Sequence, residues 1–175
     1  WNVLVIDRAR FPRDKVCAGW VTPGVFTSLE LDPDEYRATG LTIQTITGFR
    51  TSILGSRAID TRYPRAVSYA IRRCEFDHFL LSRSKARVLE QTPLASLERR
   101  GDMWIVNGNI EARIVIGAGG HFCPVARHLR GEHDVVQAVV AKEAEFRIED
   151  GDSGVDGEMP ELFFYRDLEG YAWCV

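Results

Sequence analysis

Several things are missing from this 175-residue sequence. There is no CxxC pair: Cys17, Cys74, Cys123 and Cys174 are scattered along the chain. That spacing is not a disulfide framework, and it makes a reducing cytoplasm the expected compartment. A metal set drawn from Cys17, His121 and Cys123 would match no common zinc spacing. No apolar run approaches the ~18 residues that cross a bilayer. The first residues lack the basic, apolar and small-residue order of a signal peptide. A net charge of −3 argues against nucleic acid as a partner. GxGxxG occurs nowhere, and neither does a nucleophile triad or a catalytic carboxylate pair. An initiator Met is also absent. Trp1 runs at once into a strand and Val175 falls inside a strand pattern, so this reading expects a chain cut from a longer one at both ends.

What is present is ordinary globular material. Apolar residues make up 45% and charged residues 27%, in a length that suits one core or a domain with a smaller annex. The charge is uneven. Residues 1–100 hold 16 Lys+Arg against 11 Asp+Glu, and residues 101–175 hold 6 against 14. An anionic small molecule would find its counter-charges in the first part.

VLVID, residues 3–7, is a continuous apolar run that predicts a strand buried on both faces, as in a parallel sheet. Residues 8–20 have no period and read as a loop. Pro23 starts a helix with Thr22 as N-cap, and Asp32-Pro33 starts another over PDEYRA. Residues 41–54, rich in Thr and Ile, predict antiparallel strands with a bend or bulge at Gly48. Residues 66–71 predict a strand. The helix CEFDHFLLSRSKA then places Phe76, Phe79, Leu80 and the Arg83 stem on one face. After a short strand, a hairpin turns at Arg100-Gly101-Asp102 and again at Asn107-Gly108-Asn109. ARIVIGA reads as a buried strand emptying into glycines, and CPVARHLR as a helix. Residues 135–148 predict a long strand and residues 149–161 a solvated acidic loop. LFFYRDLEGYAWCV reads as two strands broken at Asp167–Gly170.

Three stretches carry chemistry. Asp7 ends the first strand, where the acid of a dinucleotide fold accepts hydrogen bonds from a ribose. If it plays that part, the Gly-rich turn expected ~20 residues earlier, with its strand and helix making ~30 residues in all, lies in front of Trp1. In VIGAGGHFCPVAR, Gly117, Gly119 and Gly120 would let a backbone approach a ligand, and the helix beyond would aim N–H groups at an anion. In SYAIRRCEFDHFLL a strand delivers Arg73 just before a helix, where it can reach a phosphate or a flavin carbonyl. Asp77 there caps or orients. Cys17 has two readings, a thiol activated by Arg13 and Lys15 or a small residue that permits flavin packing. Trp20 and Trp173 could wall an apolar pocket or fill a core.

In this order the motifs resemble the FAD-dependent oxidoreductases of the geranylgeranyl reductase group, which share a fold with aromatic hydroxylases such as p-hydroxybenzoate hydroxylase. The resemblance rests on VLVIDRARFPRDKVCAGW, YAIRRCEFDHFLL, VIGAGGHFCPVAR and GYAWCV. It implies that Asp7 is the ribose acid. It also implies that Arg13, Lys15, Cys17, Ala18 and Gly19 form the loop passing the pyrophosphate and flavin ring, and that Arg73 contacts the cofactor. Gly170, Tyr171 and Trp173 would lie near the substrate cavity. The sequence departs from the family pattern in two places: CAG stands for CGG, and Gly119 stands where GADG carries an Asp.

The fold class expected is α/β: an incomplete Rossmann-like FAD-binding domain of residues 1–40 and 66–134, with an antiparallel substrate-domain sheet of residues 41–65 and 135–175. The function implied is FAD-dependent redox chemistry on an apolar or aromatic small molecule, with NAD(P)H as a candidate electron donor. Prenyl-type reduction is one branch, towards which Gly119 tilts the reading, and aromatic hydroxylation or halogenation is the other. A non-catalytic Rossmann-like module without cofactor is the alternative from another class. An NAD-binding protein would lack the hairpin sheet of residues 94–107.

Overall fold

The computed structural model describes residues 1–130, 140–146 and 154–175. In chain order the elements are β1 (Leu4–Ile6), β2 (Trp20–Val21), α1 (Pro23–Ser28), α2 (Pro33–Ala38), β3 (Ile43–Ile46), β4 (Gly48–Ile53), β5 (Ile59–Arg62) and β6 (Ser68–Ile71). There follow α3 (Arg73–Arg83), β7 (Arg87–Leu89), β8 (Leu97–Arg100), β9 (Met103–Val106), β10 (Ile110–Ala112), α4 (Pro124–Arg130), β11 (Glu161–Phe164) and β12 (Tyr171–Cys174). The result is a mixed α/β architecture with several antiparallel sheets. The chain divides into two compact units, Trp1–Arg13 with Leu81–Ala141, and Asp14–Leu80 with Lys142–Val175.

In the first unit β1 pairs in parallel with β7, Leu4 opposite Arg87 and Ile6 opposite Leu89. β1 is half-buried rather than buried on both faces, because among the described residues it has one neighbouring strand. β8, β9 and β10 form an antiparallel meander. Its turns fall where the glycines predict them. Gly101 has φ +57°, and Asn107 and Gly108 have φ +53° and +75°, the paired positive φ of a tight hairpin turn. The buried strand expected at ARIVIGA does not form beyond Ala112. Ile114 and Ile116 are 74% and 83% exposed. An apolar run becomes a strand only where a neighbour takes its backbone hydrogen bonds, and no described strand pairs with residues 113–119.

The second unit holds two sheets. β2 and β3 flank β6, both antiparallel to it. β12, β11, β4 and β5 form the other sheet in that order. It is mixed, not antiparallel throughout: β11 runs parallel to β4, which the long connection between them permits. The bend read at Gly48 is the point where the chain leaves one sheet for the other. The N–H groups of Thr47 and Gly48 both donate to the Glu158 carbonyl. A Cβ on Gly48 would lie 2.6 Å from the Thr61 carbonyl oxygen, so the crossing requires glycine. β5 carries no apolar alternation, is exposed throughout and was not expected. Its register is held from β4, where Arg50 opposite Asp60 donates from Nε and Nη2 to both carboxylate oxygens at 2.8 and 2.9 Å.

The core of this unit is aromatic. Phe26 of α1, Tyr36 of α2, Ile71 of β6 and Phe76 of α3 are buried together, with Val21, Leu29, Ile43, Tyr69 and Phe79 packed around them. Phe26 lies 5.1 Å from Tyr69 and Tyr36 5.0 Å from Phe79, both edge-on, an arrangement that adds to simple burial. α2 starts at a working cap, since Asp32 accepts from the N–H groups of Asp34 and Glu35. Thr22 occupies the cap position of α1 but its hydroxyl makes no capping bond. The Val25 N–H that would serve it donates to the Thr22 carbonyl instead. Helix α3 begins at Arg73, so this arginine is the first helical residue and not one that precedes the helix.

The strand expected over 135–148 lies outside the described residues at 135–139 and 147–148, and its described part, residues 140–146, forms no ladder. Of the acidic loop, residues 149–153 lie outside them. The two strands on either side of Asp167–Gly170 are present as β11 and β12.

Candidate functional site

In the first unit Asp7 directly follows β1. Its N–H donates to the Leu89 carbonyl and its Oδ1 accepts from Ala9 N–H at 2.8 Å, which aligns the carboxylate beyond the strand end. Oδ2 lies 3.8 Å from Arg13 Nε, and the Arg13 guanidinium rests over the Phe11 ring. A carboxylate offers about four acceptor sites, so the pair retains capacity for a hydroxyl ligand.

The glycine turn belongs to this same unit. A Cβ on Gly117 would meet Val125 at 2.8 Å and the Cys123 sulfur at 3.0 Å, and one on Gly119 would meet Cys123 at 3.2 Å. Gly120, at φ +73°, has nothing within 4 Å of a Cβ. The turn is therefore closed on its Cys123 side and open at Gly120. Cys123 precedes α4, and nearby backbone N–H groups, those of Ala126 and Gly119 foremost, hold its thiol below the ordinary pKa.

The second unit holds the Cys17 loop and Arg73. Lys15 is exposed, Cys17 and Ala18 are half-buried and Gly19 is buried. Gly19 has φ +71°, and a Cβ there would lie 2.2 Å from the Ile71 carbonyl oxygen. Only glycine fits against β6 at this point, and Ile71 N–H donates to the Gly19 carbonyl at 2.9 Å. Cys17 N–H donates to Glu143 at 2.6 Å and Gly19 N–H to the Cys17 sulfur at 3.4 Å. Arg73 donates from Nε and Nη2 to the two Asp77 oxygens at 2.8 and 3.1 Å. That pairing raises the Arg73 pKa against the effect of desolvation, with a smaller contribution from Cys17. The structure places Arg73 and the Cys17 loop in the same unit. Asp77 proves to orient Arg73 rather than cap the helix. The i,i+4 spacing signalled that pairing, whereas Glu143, distant in sequence, carried no local signal.

Tyr171 and Trp173 lie on β12. Cross-strand register places them opposite Phe164 and Leu162, which face Ile53 and Thr51 on β4. These residues share one apolar face, with Tyr171 5.9 Å from Phe164 and 5.6 Å from Trp173. Arg50, Asp60 and Glu161 lie on the other face, where Arg50 also donates to Glu161 at 3.1 Å. Trp20 packs edge-on to Phe49 at 5.6 Å, and its indole N–H is buried without a hydrogen-bond partner. Among the described residues no helix is long and apolar enough to cross a membrane.

No protein-family model matches this sequence, and no curated protein matches it at significant similarity. The fold does match solved structures. A geranylgeranyl bacteriochlorophyll reductase-like protein from Thermoplasma acidophilum superposes with a TM-score of 0.66 at 16% identity, covering 97% of this chain and 46% of that one. A flavoprotein/dehydrogenase from Cytophaga hutchinsonii gives 0.59 at 20% identity, covering 93% and 44%. A variant of the halogenase PltM in complex with FAD gives 0.57 at 19% identity, covering 74% and 31%. This chain therefore has the fold of part of these flavoenzyme structures and spans less than half the length of each. The neighbours include the geranylgeranyl reductase-like type that the sequence motifs resemble, and halogenases, which belong to the alternative branch of the expected function.

Taken unit by unit, the donors have chemistry that suits separate parts of a flavin nucleotide. A carboxylate beyond a parallel strand suits a ribose hydroxyl. A permanently charged, oriented guanidinium suits a phosphate or carbonyl oxygen. A glycine turn open at Gly120 suits close backbone approach.

Proposed function

We propose that this chain is part of an FAD-dependent oxidoreductase acting on an apolar or aromatic small molecule. The observation that carries the proposal is the likeness of the fold, over 97% of the chain, to a geranylgeranyl bacteriochlorophyll reductase-like protein. The FAD bound in a neighbouring halogenase supports the cofactor. In this reading residues 1–40 and 66–134 belong to the cofactor domain and residues 41–65 and 135–175 to the substrate sheet. Asp7 accepts from the ribose, and Arg13 and Lys15 supply positive charge along the pyrophosphate. Cys17, Ala18 and Gly19 keep the loop thin beside the flavin ring, and Arg73 holds an anionic or carbonyl oxygen. Gly117, Gly119 and Gly120 admit the cofactor edge, and the aromatic face of Tyr171 and Trp173 covers the substrate. When bound, the flavin supplies the hydride or oxygen chemistry. The chain's own part is position, charge and exclusion of water, with NAD(P)H as the proposed electron donor.

Between the branches, Gly119 favours a reductase-like enzyme, since the acid of GADG is absent. The test is the visible spectrum of the protein expressed from its complete reading frame. The two bands of oxidised flavin, bleached by NADPH under argon, are the expected result. A colourless protein that takes up no added FAD would overturn the reading and leave a module without cofactor. Turnover of a polyprenyl substrate separates the reductase from the halogenase branch, which requires halide instead.

A further inference from the structure

Residues 142–146 reverse the usual order of burial. Phe146 is 85% exposed, whereas Glu143, three residues before it, is half-buried. Burial ordinarily selects the apolar side chain, and a charged one stays in water unless it finds a partner. Glu143 has such a partner. Its Oε2 accepts from Cys17 N–H at 2.6 Å, and a hydrogen bond to an ionised acceptor is about twice as strong as a neutral one. Two residues on, Glu145 Oε2 lies 3.6 Å from Arg72 Nη2. Arg72 is itself held, since its Nη1 lies 3.3 Å from Glu75 Oε1, and Glu75 Oε2 accepts from Thr42 N–H at 2.8 Å. Both contacts flank one join. The Gly19 carbonyl accepts from Ile71 N–H, Cys17 stands two residues before Gly19, and Arg72 directly follows Ile71. Residues 17–19 are therefore tied at both ends. At Gly19 the tie is the β6 backbone, which admits no Cβ. At Cys17 it is Glu143. A carboxylate drawn in while a neighbouring ring stands in water departs from local preference, as expected where a residue serves a site.

We propose that Glu143 is a positioning residue for the Cys17-Ala18-Gly19 loop: its carboxylate fixes the Cys17 amide, while Glu145 on Arg72 steadies the segment of residues 142–146. The first contact carries the effect. It is half-buried, whereas Arg72 and Glu145 are 51% and 65% exposed, and an exposed ion pair contributes little and is screened by salt. That the loop so held meets FAD rests on the function proposed above; the Glu143–Cys17 bond does not. A loop ordered before its ligand arrives loses less freedom on binding, so the gain appears as affinity.

The test uses Glu143→Ala, Glu143→Gln and Glu145→Ala in the protein from its complete reading frame. Hydrogen exchange of the apo-protein reads the bond. Peptides spanning residues 14–20 should exchange about tenfold faster in Glu143→Ala. The rise should be smaller in Glu143→Gln, whose amide oxygen still accepts without the charge. The β8–β10 meander and the β11–β12 pair should be unchanged. Glu145→Ala should give a smaller rise than Glu143→Ala, and its difference from wild type should vanish in about 1 M salt. Unchanged exchange at 14–20 in Glu143→Ala overturns the proposal. So does a rise that extends equally to β11–β12, which would mean that the whole unit had loosened, or an equal effect of Glu145→Ala. Fluorescence titration with FAD reads the consequence: Glu143→Ala should weaken binding about tenfold, and Glu143→Gln less. Wild-type or tighter affinity in Glu143→Ala overturns the cofactor role. A wild-type protein that takes up no FAD sinks the flavoenzyme reading, and the exchange result still decides the bond. Should Glu143→Ala fail to fold, Glu143→Gln must show the faster exchange at 14–20, and wild-type protection there overturns the bond.

Discussion

Residues 66–83 and residues 112–130 carry nearly the same signature, an apolar run leading into a helix, and they fold differently. In the first, β6 lies between β2 and β3, Ile71 is 6% exposed and Phe76 of α3 is 4% exposed. In the second, the ladder stops at Ala112, the isoleucines stand in solvent and α4 buries no residue. Composition does not separate the two. What separates them is whether two strands flank the run and whether aromatic rings from α1 and α2 cover the helix. Burial is thus supplied by partners, and an apolar stretch on its own only permits it.

The sharpest way to break this comparison is to truncate one residue on each side. Phe76→Ala should destabilise the protein by about 3–5 kcal/mol, whereas Ile116→Ser should stay within about 0.5 kcal/mol, both read by denaturant melts. A large loss at Ile116 would mean that the second run is a buried strand. The two glycine turns make the next pair. Gly19→Ala combines positive φ with a backbone clash at Ile71 and should cost about 3 kcal/mol. Gly120→Ala has the same φ and open space, and should cost about 1–2 kcal/mol.

Tyr36 sharpens the account of the aromatic core. Its hydroxyl is buried without a hydrogen-bond partner, so Tyr36→Phe should stabilise the protein by about 1–2 kcal/mol. Burial, with Glu75 and Cys74 nearby, pushes the Tyr36 pKa from 10.0 up to about 12. The folded state therefore holds its proton longer than the unfolded chain, and stability present below pH 10 is lost as pH rises from 10 towards 12. Tyr36→Phe should remove that part of the alkaline loss, which melts across this range would record. The smallest contrast is between caps. Asp32→Ala should cost about 1 kcal/mol, while Thr22→Ala, with no capping bond to lose, should change stability by only a few tenths.

The turns, the helices at Pro23 and Pro33 and the pairing of β11 with β12 were legible because their signals are local. Gly101 and Asn107-Gly108 need positive φ, Pro presets a first helical turn, and Asp32 reaches amides two and three residues on. The strand β5 was not legible, because Ile59–Arg62 owes its conformation to Arg50 across the sheet and not to its own pattern. Of the candidate site, the residue types were readable and the attachments were not. Nothing near Cys17 points to Glu143. The motif order was enough to suggest a flavoenzyme fold, since glycines, a strand-end acid and an arginine at a strand–helix junction are read from the chain without any tertiary partner.

By itself, then, the sequence determined the turns, the proline helix starts, the Asp32 cap, the charge asymmetry and the small-residue positions, all consequences of backbone dihedrals, side-chain size and charge within a few residues. Only the tertiary structure decided which apolar runs become strands, that Gly48 carries the chain from one sheet to another, that Arg73 is held by Asp77, and that Tyr36 enters an aromatic core with its hydroxyl unpaired. Those outcomes depend on hydrogen bonds and packing between residues far apart in the chain, and no local preference can anticipate a partner that folding has yet to bring near.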